Sequence, residues 1–133
     1  MSQLSNRTLT DWLEYWSKEI PDNECVVYSD RDFRLTWKEM NDRSDRMAKG
    51  LLALGLKKGS HVGIWATNVP NWLTLLYATA KIGAVLVTVN TNYKQEELEY
   101  LCKNADLDAL FLMDGTWESD FVDMTYKMLP ELK

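Results

Sequence analysis

The sequence predicts an α/β fold, an open three-layer α/β/α sandwich with a mainly parallel sheet. Residues 59–92 have the pattern strand, helix, strand, with valine-rich runs on both sides of an apolar segment that begins near Pro70. Strand-like and helix-like segments continue to alternate after residue 92, which is typical of this class. The short strands are apolar throughout, as expected for parallel strands that are covered on both faces.

Composition indicates one globular domain with a substantial core. The chain has 133 residues, of which 46% are hydrophobic. The net charge of −5 gives no electrostatic footprint for nucleic acid, so we expect no nucleic-acid partner. No apolar run reaches the ~20 residues of a transmembrane helix, and the first ten residues lack the apolar centre of a signal peptide. Cys25 and Cys102 lie far apart in apolar surroundings, which predicts reduced, buried thiols in a cytoplasmic protein.

The first 35 residues predict one helix and one hairpin. Residues 1–23 contain a helix from Thr8 to Ile20, with Thr8 as its cap and Asp11 at the third position of a capping box. Residues 24–35 form a hairpin, which we expect at the edge of the sheet. Its two strands flank the polar turn Asp30-Arg31-Asp32.

Residues 36–133 form the alternating unit of helices and strands. Its predicted elements are a helix Thr36–Leu54 with a Thr36–Glu39 capping box, a strand Val62–Trp65, a helix that starts at Asn68 or Pro70 and ends at Gly83, a strand Ala84–Val89, a helix Lys94–Asn104, a strand Leu107–Met113, a turn Asp114-Gly115, and a helix Asp120–Leu129 capped by Ser119.

Ligands of open α/β sheets bind beyond the carboxyl ends of the strands. Those ends are Ala66-Thr67-Asn68, Asn90-Thr91-Asn92 and Asp114-Gly115. Their hydroxyls and amides suit polar ligands, but turns and helix caps are the simpler roles for them. His61, the only histidine, is interpreted as a solvent-facing or core-edge residue.

Phosphate-binding and nucleophile motifs are missing from these 133 residues. There is no G-x-G-x-x-G loop after a strand, no Walker A loop and no G-x-S-x-G elbow. The cysteines and the histidine lack metal-ligand spacing. The sequence therefore predicts no catalytic, cofactor-binding or metal-binding residue in this chain.

An ordered set of motifs nevertheless resembles the N-terminal part of the AMP-forming acyl-CoA synthetases, members of the adenylate-forming superfamily. The motifs are Leu35-Thr36-Trp37-Lys38-Glu39-Met40-Asn41, Ser44-Asp45-Arg46-Met47-Ala48-Lys49-Gly50-Leu51, Gly55-Leu56-Lys57-Lys58-Gly59, Asn68-Val69-Pro70-Asn71-Trp72, Ala80-Lys81-Ile82-Gly83-Ala84-Val85, Val89-Asn90 and Glu97-Leu98-Glu99-Tyr100. Val87-Thr88-Val89-Asn90 and Leu129-Pro130-Glu131-Leu132 resemble the fatty-acid branch. Four positions, Ser60, His61, Thr88 and Thr91, depart from residues that the family often has.

The resemblance implies that residues 1–133 are an N-terminal subdomain fragment of the large N-terminal domain of such an enzyme. These enzymes use ATP and Mg²⁺ to convert a carboxylic acid into an acyl-adenylate, and then transfer the acyl group to coenzyme A. The phosphate loop, the adenine and ribose motifs and the catalytic lysine lie beyond this region in the family. We therefore expect the fragment to be inactive, to bind no cofactor tightly, and to be capable of self-association through an unpaired sheet edge.

Two other readings stay open at this stage. One is a stand-alone α/β binding or interaction module without catalysis. The other is a small flavodoxin-like or receiver-like domain, which is disfavoured because the acidic cluster and phosphate loops of those folds are not evident.

Overall fold

The computed structural model describes residues 5–132. Its helices are α1 (Leu9–Glu19), α2 (Trp37–Ala53), α3 (Pro70–Ile82), α4 (Gln95–Asn104) and α5 (Phe121–Met128), followed by a 3₁₀ turn, Pro130–Leu132. Its strands are β1 (Glu24–Tyr28), β2 (Phe33–Thr36), β3 (His61–Trp65), β4 (Val85–Thr88), β5 (Ala109–Leu112), β6 (Gly115–Thr116) and β7 (Ser119–Asp120).

The centre of the fold is a parallel sheet with the strand order β4-β3-β5. Central strand β3 pairs on one side with β4, with Val62 opposite Leu86, and on the other with β5, with Ile64 opposite Phe111. Both neighbours run parallel to it, as the apolar strands predicted.

Helices cover both faces of this sheet. On one face, α2 and α3 pack on β3 through a cluster that includes Leu51, Val62, Ile64 and Leu75. On the other face, α4 and α5 meet the sheet around Trp65, Val89, Leu98 and Phe121. The predicted open three-layer α/β/α sandwich is confirmed.

Local sequence signals set several element ends. Thr8 and Thr36 both close complete capping boxes, with Asp11 and Glu39 as the reciprocal partners. Gly83 ends α3 with φ of 71°, a left-handed conformation that glycine adopts without steric cost.

α3 begins at Pro70, one of its two predicted starts, and no side chain caps it. The predicted cap of α5 is wrong. α5 is capped by Asp120, whose Oδ1 accepts from the Asp123 N–H at 2.8 Å. Ser119 Oγ instead hydrogen-bonds Lys94 Nζ at 2.8 Å. The Asp120 carboxylate, one residue closer to the helix, therefore caps α5 in place of the Ser119 hydroxyl that the sequence predicts.

Two predictions about chain reversals also need correction. The β1–β2 hairpin forms, but as a separate antiparallel pair and not on the edge of the parallel sheet. It packs with α1 and α2 in a third cluster around Leu13, Leu35 and Met40. The predicted Asp114-Gly115 turn is the start of a small antiparallel hairpin, β6–β7, in which Gly115 faces Asp120.

Candidate functional site

The carboxyl ends of the three parallel strands are held together by main-chain and side-chain hydrogen bonds. The Val89 N–H donates to the Ile64 carbonyl at 2.9 Å, and the Trp65 indole Nε1–H donates to the Asn90 carbonyl at 3.1 Å. On the other side of β3, the Met113 N–H donates to the Trp65 carbonyl at 3.2 Å. The carboxyl ends of the three strands therefore lie together at one edge of the sheet.

Several polar residues at this edge are engaged in local structure. Asn90 Oδ1 accepts from the Asn92 N–H at 3.0 Å, a turn of the kind that asparagine favours. The Thr67 N–H and hydroxyl both lie 3.3 Å from Met113 Sδ. The Asp114 carbonyl accepts from the Phe121 N–H at 3.0 Å. These groups position the loops, so fewer of their hydrogen-bonding atoms are free to contact a ligand.

An apolar cleft opens beside these strand ends. It has a volume of about 320 Å³ and lies between β3, β5 and the start of α3. Ala66, Val69 and Trp72 line it from the β3–α3 side, while Phe111 and Met113 line it from β5. Its walls offer dispersion contacts and only a few polar atoms, so it suits a hydrocarbon or aromatic group.

A polar cleft of about 310 Å³ lies on the far side of the strand ends. The loop after β4 supplies Thr91 and Lys94, and the β6–β7 hairpin supplies Trp117 and Ser119. The Lys94–Ser119 hydrogen bond ties the two loops together. Trp117 is fully exposed at the tip of the hairpin.

His61 lies at the opposite end of β3 from both clefts. It opens the strand, and its ring Nδ1 lies 2.6 Å from the Ala105 carbonyl oxygen, so this nitrogen donates its proton there. Its main-chain N–H donates to Asp108 Oδ2 at 2.8 Å. The half-buried ring agrees with a core-edge residue, and its position removes it from any chemistry at the strand ends.

The two cysteines are weak candidates for nucleophiles. Both are free and half-buried, not fully buried as the sequence predicted. Burial raises the pKa of the Cys25 thiol and of the Cys102 thiol above their ordinary value. A raised pKa lowers the thiolate fraction at neutral pH, and the thiolate is the reactive form.

Sequence reasoning missed two contributors to this edge, the Trp65 indole and the Met113 sulfur. The sequence predicts both only as residues of core strands. Their partners, Asn90 and Thr67, are 25 and 46 residues away along the chain. No local sequence pattern predicts such contacts, because they depend on which strands become neighbours in the sheet.

The part of the chain that the structure describes contains no cluster of metal-binding side chains. Within 5–132 no group of three or more His, Cys, Asp or Glu side chains could hold a metal ion. The strand-end loops carry no glycine-rich cradle for a triphosphate. In the same range, no helix is long and apolar enough to cross a membrane.

Comparison with known protein families identifies the family to which this chain belongs. The family described as "AMP-binding enzyme" matches residues 13–131. The chain belongs to the AMP-binding enzyme family. The fold and the predicted resemblance agree with this membership.

Relatives within the AMP-binding enzymes include acyl-CoA ligases from bacteria and animals. The chain is 44% identical over all 133 residues to YngI of Bacillus subtilis (strain 168), whose name describes an acyl-CoA synthetase. It is 33% identical over 130 residues to the mitochondrial medium-chain acyl-CoA ligase ACSF2 of Bos taurus. The alignments cover 100% and 98% of this chain but only 24% and 21% of the relatives, so the chain spans about a quarter of their length.

Solved structures of AMP-binding enzymes share the fold. One from Rhodopseudomonas palustris CGA009, described as a long-chain-fatty-acid CoA ligase, superposes with a TM-score of 0.83 at 26% identity. It covers 97% of this chain and 31% of that one. The N-terminal domain of FACL13 from Mycobacterium tuberculosis gives a TM-score of 0.75 at 28% identity, over 77% of this chain and 26% of that one.

Proposed function

We propose that this chain is the N-terminal subdomain of the AMP-binding domain of an ATP-dependent carboxylate–CoA ligase. The complete enzyme forms an acyl-adenylate from a carboxylic acid and ATP with Mg²⁺, and then an acyl-CoA. The main support for this proposal is the family match over residues 13–131. The same residues form a parallel α/β sheet with the fold of the ligase structures.

In this proposal the chain supplies scaffold and an apolar wall, but no reacting group. The strand-end hydrogen bonds fix two loops in place, and the cleft beside Trp72 and Phe111 presents an apolar surface. The ATP-, Mg²⁺- and CoA-binding groups come from the rest of the enzyme. We expect the chain alone to bind none of these molecules tightly and to lack ligase activity.

A chimera tests the proposal. The matching region of YngI is replaced by this chain, and pyrophosphate release is measured with ATP, Mg²⁺, CoA and a panel of carboxylic acids. We expect acid-dependent pyrophosphate release and acyl-CoA formation. The controls are intact YngI and YngI without its matching region, which should be inactive because its sheet is incomplete.

The proposal fails if the chimera folds, as judged by circular dichroism and a cooperative melt, yet releases no pyrophosphate with any acid that intact YngI accepts. Sequencing the parent gene past Lys133 gives an independent check. A strand followed by a Ser/Thr/Gly-rich loop that ends in Pro-Lys-Gly supports the ligase. A direct stop codon favours the stand-alone module.

Fatty acids are the proposed substrates, with a role in fatty-acid metabolism. The names of the ACSF2 relative and of the Rhodopseudomonas palustris structure specify fatty-acyl or medium-chain ligases, and an apolar wall suits an alkyl chain. We place the enzyme in the cytoplasm, since Cys25 and Cys102 are both free. A ligase that prefers aromatic acids over fatty acids in the panel would contradict the substrate assignment.

A further inference from the structure

An open groove runs over α2 and α3 toward β5. Its volume is about 590 Å³, which lies within the range of small-molecule sites. Its floor is mostly apolar, with Met47 and Leu51 from α2 and Phe111 from β5. The residues that line it belong to these three elements and to the end of α2, and none of them comes from the strand-end loops. The groove is therefore a different surface from the strand-end edge.

Two arginines of α2, Arg43 and Arg46, line this groove. Neither guanidinium forms an ion pair with a carboxylate among residues 5–132. The acidic neighbours of the two arginines, Asp42 and Asp45, pair with lysines instead, at 2.6 Å and 2.8 Å. Arg43 is held over the ring of Phe33, 5.4 Å from its centroid. The groove thus carries positive charge that no described carboxylate neutralises.

Thr74 of α3 adds a buried hydroxyl without a partner. The residue is 3% exposed, and its Oγ1 forms no hydrogen bond with any described residue. Thr79 in the same helix behaves differently, because its hydroxyl donates to the Leu75 carbonyl at 2.9 Å. Buried polar groups are nearly always hydrogen-bonded, so an exception indicates a missing partner. Thr74 lines the groove, and rotation about χ1 would present its hydroxyl to an acceptor bound there.

The groove continues into the apolar cleft of about 320 Å³ beside α3. Met47, Asn71 and Phe111 line both spaces, and Trp72 and Leu75 extend the apolar wall of the cleft. An alkyl chain is stabilised on such a wall because it leaves water. A guanidinium fork matches the two oxygens of a carboxylate. The positive groove and the apolar cleft together therefore suit a molecule with a carboxylate head and a hydrocarbon tail.

We propose that the groove is a second ligand site, which binds a long-chain alkyl carboxylate. The carboxylate lies between Arg43 and Arg46 and accepts a hydrogen bond from the Thr74 hydroxyl, and the tail lies in the apolar cleft. A carboxylate held on α2 is not at the strand-end loops, so this molecule is not the reacting acid. The inference goes beyond the proposed function, because binding at this site needs neither ATP nor coenzyme A.

Titration of the 133-residue chain with sodium dodecanoate below its micelle concentration tests the proposal. In ¹H–¹⁵N NMR spectra we expect saturable one-to-one binding, with shifts of the Arg46, Gly50 and Thr74 amides. Acetate has the head without the tail, and dodecyltrimethylammonium has a tail with a cationic head, so neither should bind. Binding of either compound as tightly as dodecanoate would overturn the proposal. Tighter binding of dodecyl phosphate would overturn the assignment of a carboxylate head.

The arginines are tested by charge removal. The double variant Arg43→Gln, Arg46→Gln should weaken dodecanoate binding at least ~10-fold, because it removes charge-assisted hydrogen bonds. Lys49→Gln is the matched control, since Lys49 is an exposed residue of the same helix that does not line the groove. Its loss should change the affinity less than ~2-fold, because salt screens a distant surface charge. Equal losses of affinity in the double variant and in Lys49→Gln would overturn the proposal.

Two further variants test the shape of the groove and the buried hydroxyl. Nothing lies within 4 Å of a Cβ at Gly50, which lines the groove, so Gly50→Leu should fill this space and abolish binding while the melt stays cooperative. Thr74→Val should weaken dodecanoate binding and raise the Tm of the free protein, because it removes an unpartnered buried hydroxyl. Unchanged binding in a folded Gly50→Leu variant would overturn the proposal, and so would unchanged binding in Thr74→Val.

Discussion

The indole ring of Trp65 stacks on the phenyl ring of Phe121, with ring centroids 3.8 Å apart and planes within 9° of parallel. Trp65 ends the central strand, and Phe121 is the first residue of α5. Both side chains are fully buried. The stack thus fixes the last helix on the sheet at the level of the strand ends, while the indole N–H holds the loop after β4 through Asn90.

Removal of the phenyl ring should destabilise the protein strongly. Phe121→Ala is expected to lower the free energy of unfolding by about 3–5 kcal/mol, because a large aromatic leaves a cavity under α5. Urea unfolding followed by far-UV circular dichroism measures the change. The matched control is Trp117→Ala on the neighbouring hairpin, where the side chain is fully exposed and stability should not change. Equal losses from both variants would contradict the role assigned to the stack.

Gly63 in β3 should not tolerate a methyl group. A Cβ built there would lie 2.7 Å from Leu107 Cδ1 and 2.9 Å from Leu110 Cδ1, both in the packed α4–α5 face. Gly63→Ala is expected to cost about 1–3 kcal/mol from overpacking, partly relieved by movement of the leucine ends. Gly50→Ala provides the opposite case, since nothing lies within 4 Å of its Cβ position in the last turn of α2.

In Gly50→Ala the gain in helix propensity should stabilise the protein by about 0.5–1 kcal/mol. Thermal and urea unfolding of the two variants side by side test the pair. If Gly63→Ala and Gly50→Ala change the free energy of unfolding in the same direction, that result contradicts the close packing of β3 against α4 and α5.

Lys81 should contribute more to stability than the exposed lysines of the surface ion pairs. Its Nζ lies 2.8 Å from Asp45 Oδ1 and 2.9 Å from Asn41 Oδ1 on α2, and 3.5 Å from Glu14 Oε1 on α1. The side chain is only 10% exposed, so it joins three helices with little competition from water.

We expect Lys81→Met to lower the free energy of unfolding by about 1.5–3 kcal/mol, the range for hydrogen bonds to charged groups. Lys103→Met is the control, because its pair with Glu99 leaves the lysine side chain 75% exposed. Such exposed pairs contribute about 0.2–1 kcal/mol. High salt should weaken the Lys81 contribution less than that of Lys103, and the reverse salt dependence would contradict the assignment.

The raised thiol pKa values predict a loss of stability in alkali. Burial favours the neutral thiol of Cys25 and Cys102 in the folded state, and burial also raises the pKa of Tyr77, which lies near Cys25. A group whose pKa is higher in the folded than in the unfolded chain stabilises the fold below its ordinary pKa. That contribution is lost as the pH rises through the folded pKa. For the thiols this window opens above 9.0.

Alkylation by iodoacetamide measures the thiols directly. At pH 8 we expect both cysteines to react more slowly in the native protein than in urea, and the rate to rise with pH only above the ordinary thiol range. Cys25→Ala and Cys102→Ala, made singly, assign each rate to its residue. Native thiols that titrate at or below the ordinary pKa would contradict the prediction.

The sequence determined the elements whose signals are local. Helix caps at Thr8 and Thr36, the stop at Gly83 and the apolar strands all follow from interactions within a few residues, and they gave the order of the five helices and of β1 to β5 correctly. The ordered motifs also placed the chain in its family. Nothing local indicated a catalytic residue.

Tertiary structure alone decided the relationships between distant segments. The surfaces that bury each other decide three features of the fold. These are the strand order β4-β3-β5, the stack of Trp65 on Phe121, and the position of the β1–β2 hairpin apart from the parallel sheet. Ser119 met Lys94 from a loop 25 residues away, which left the α5 cap to Asp120. Local sequence patterns specify the faces that an element must bury, but the choice of partner is made by the packing of the whole domain.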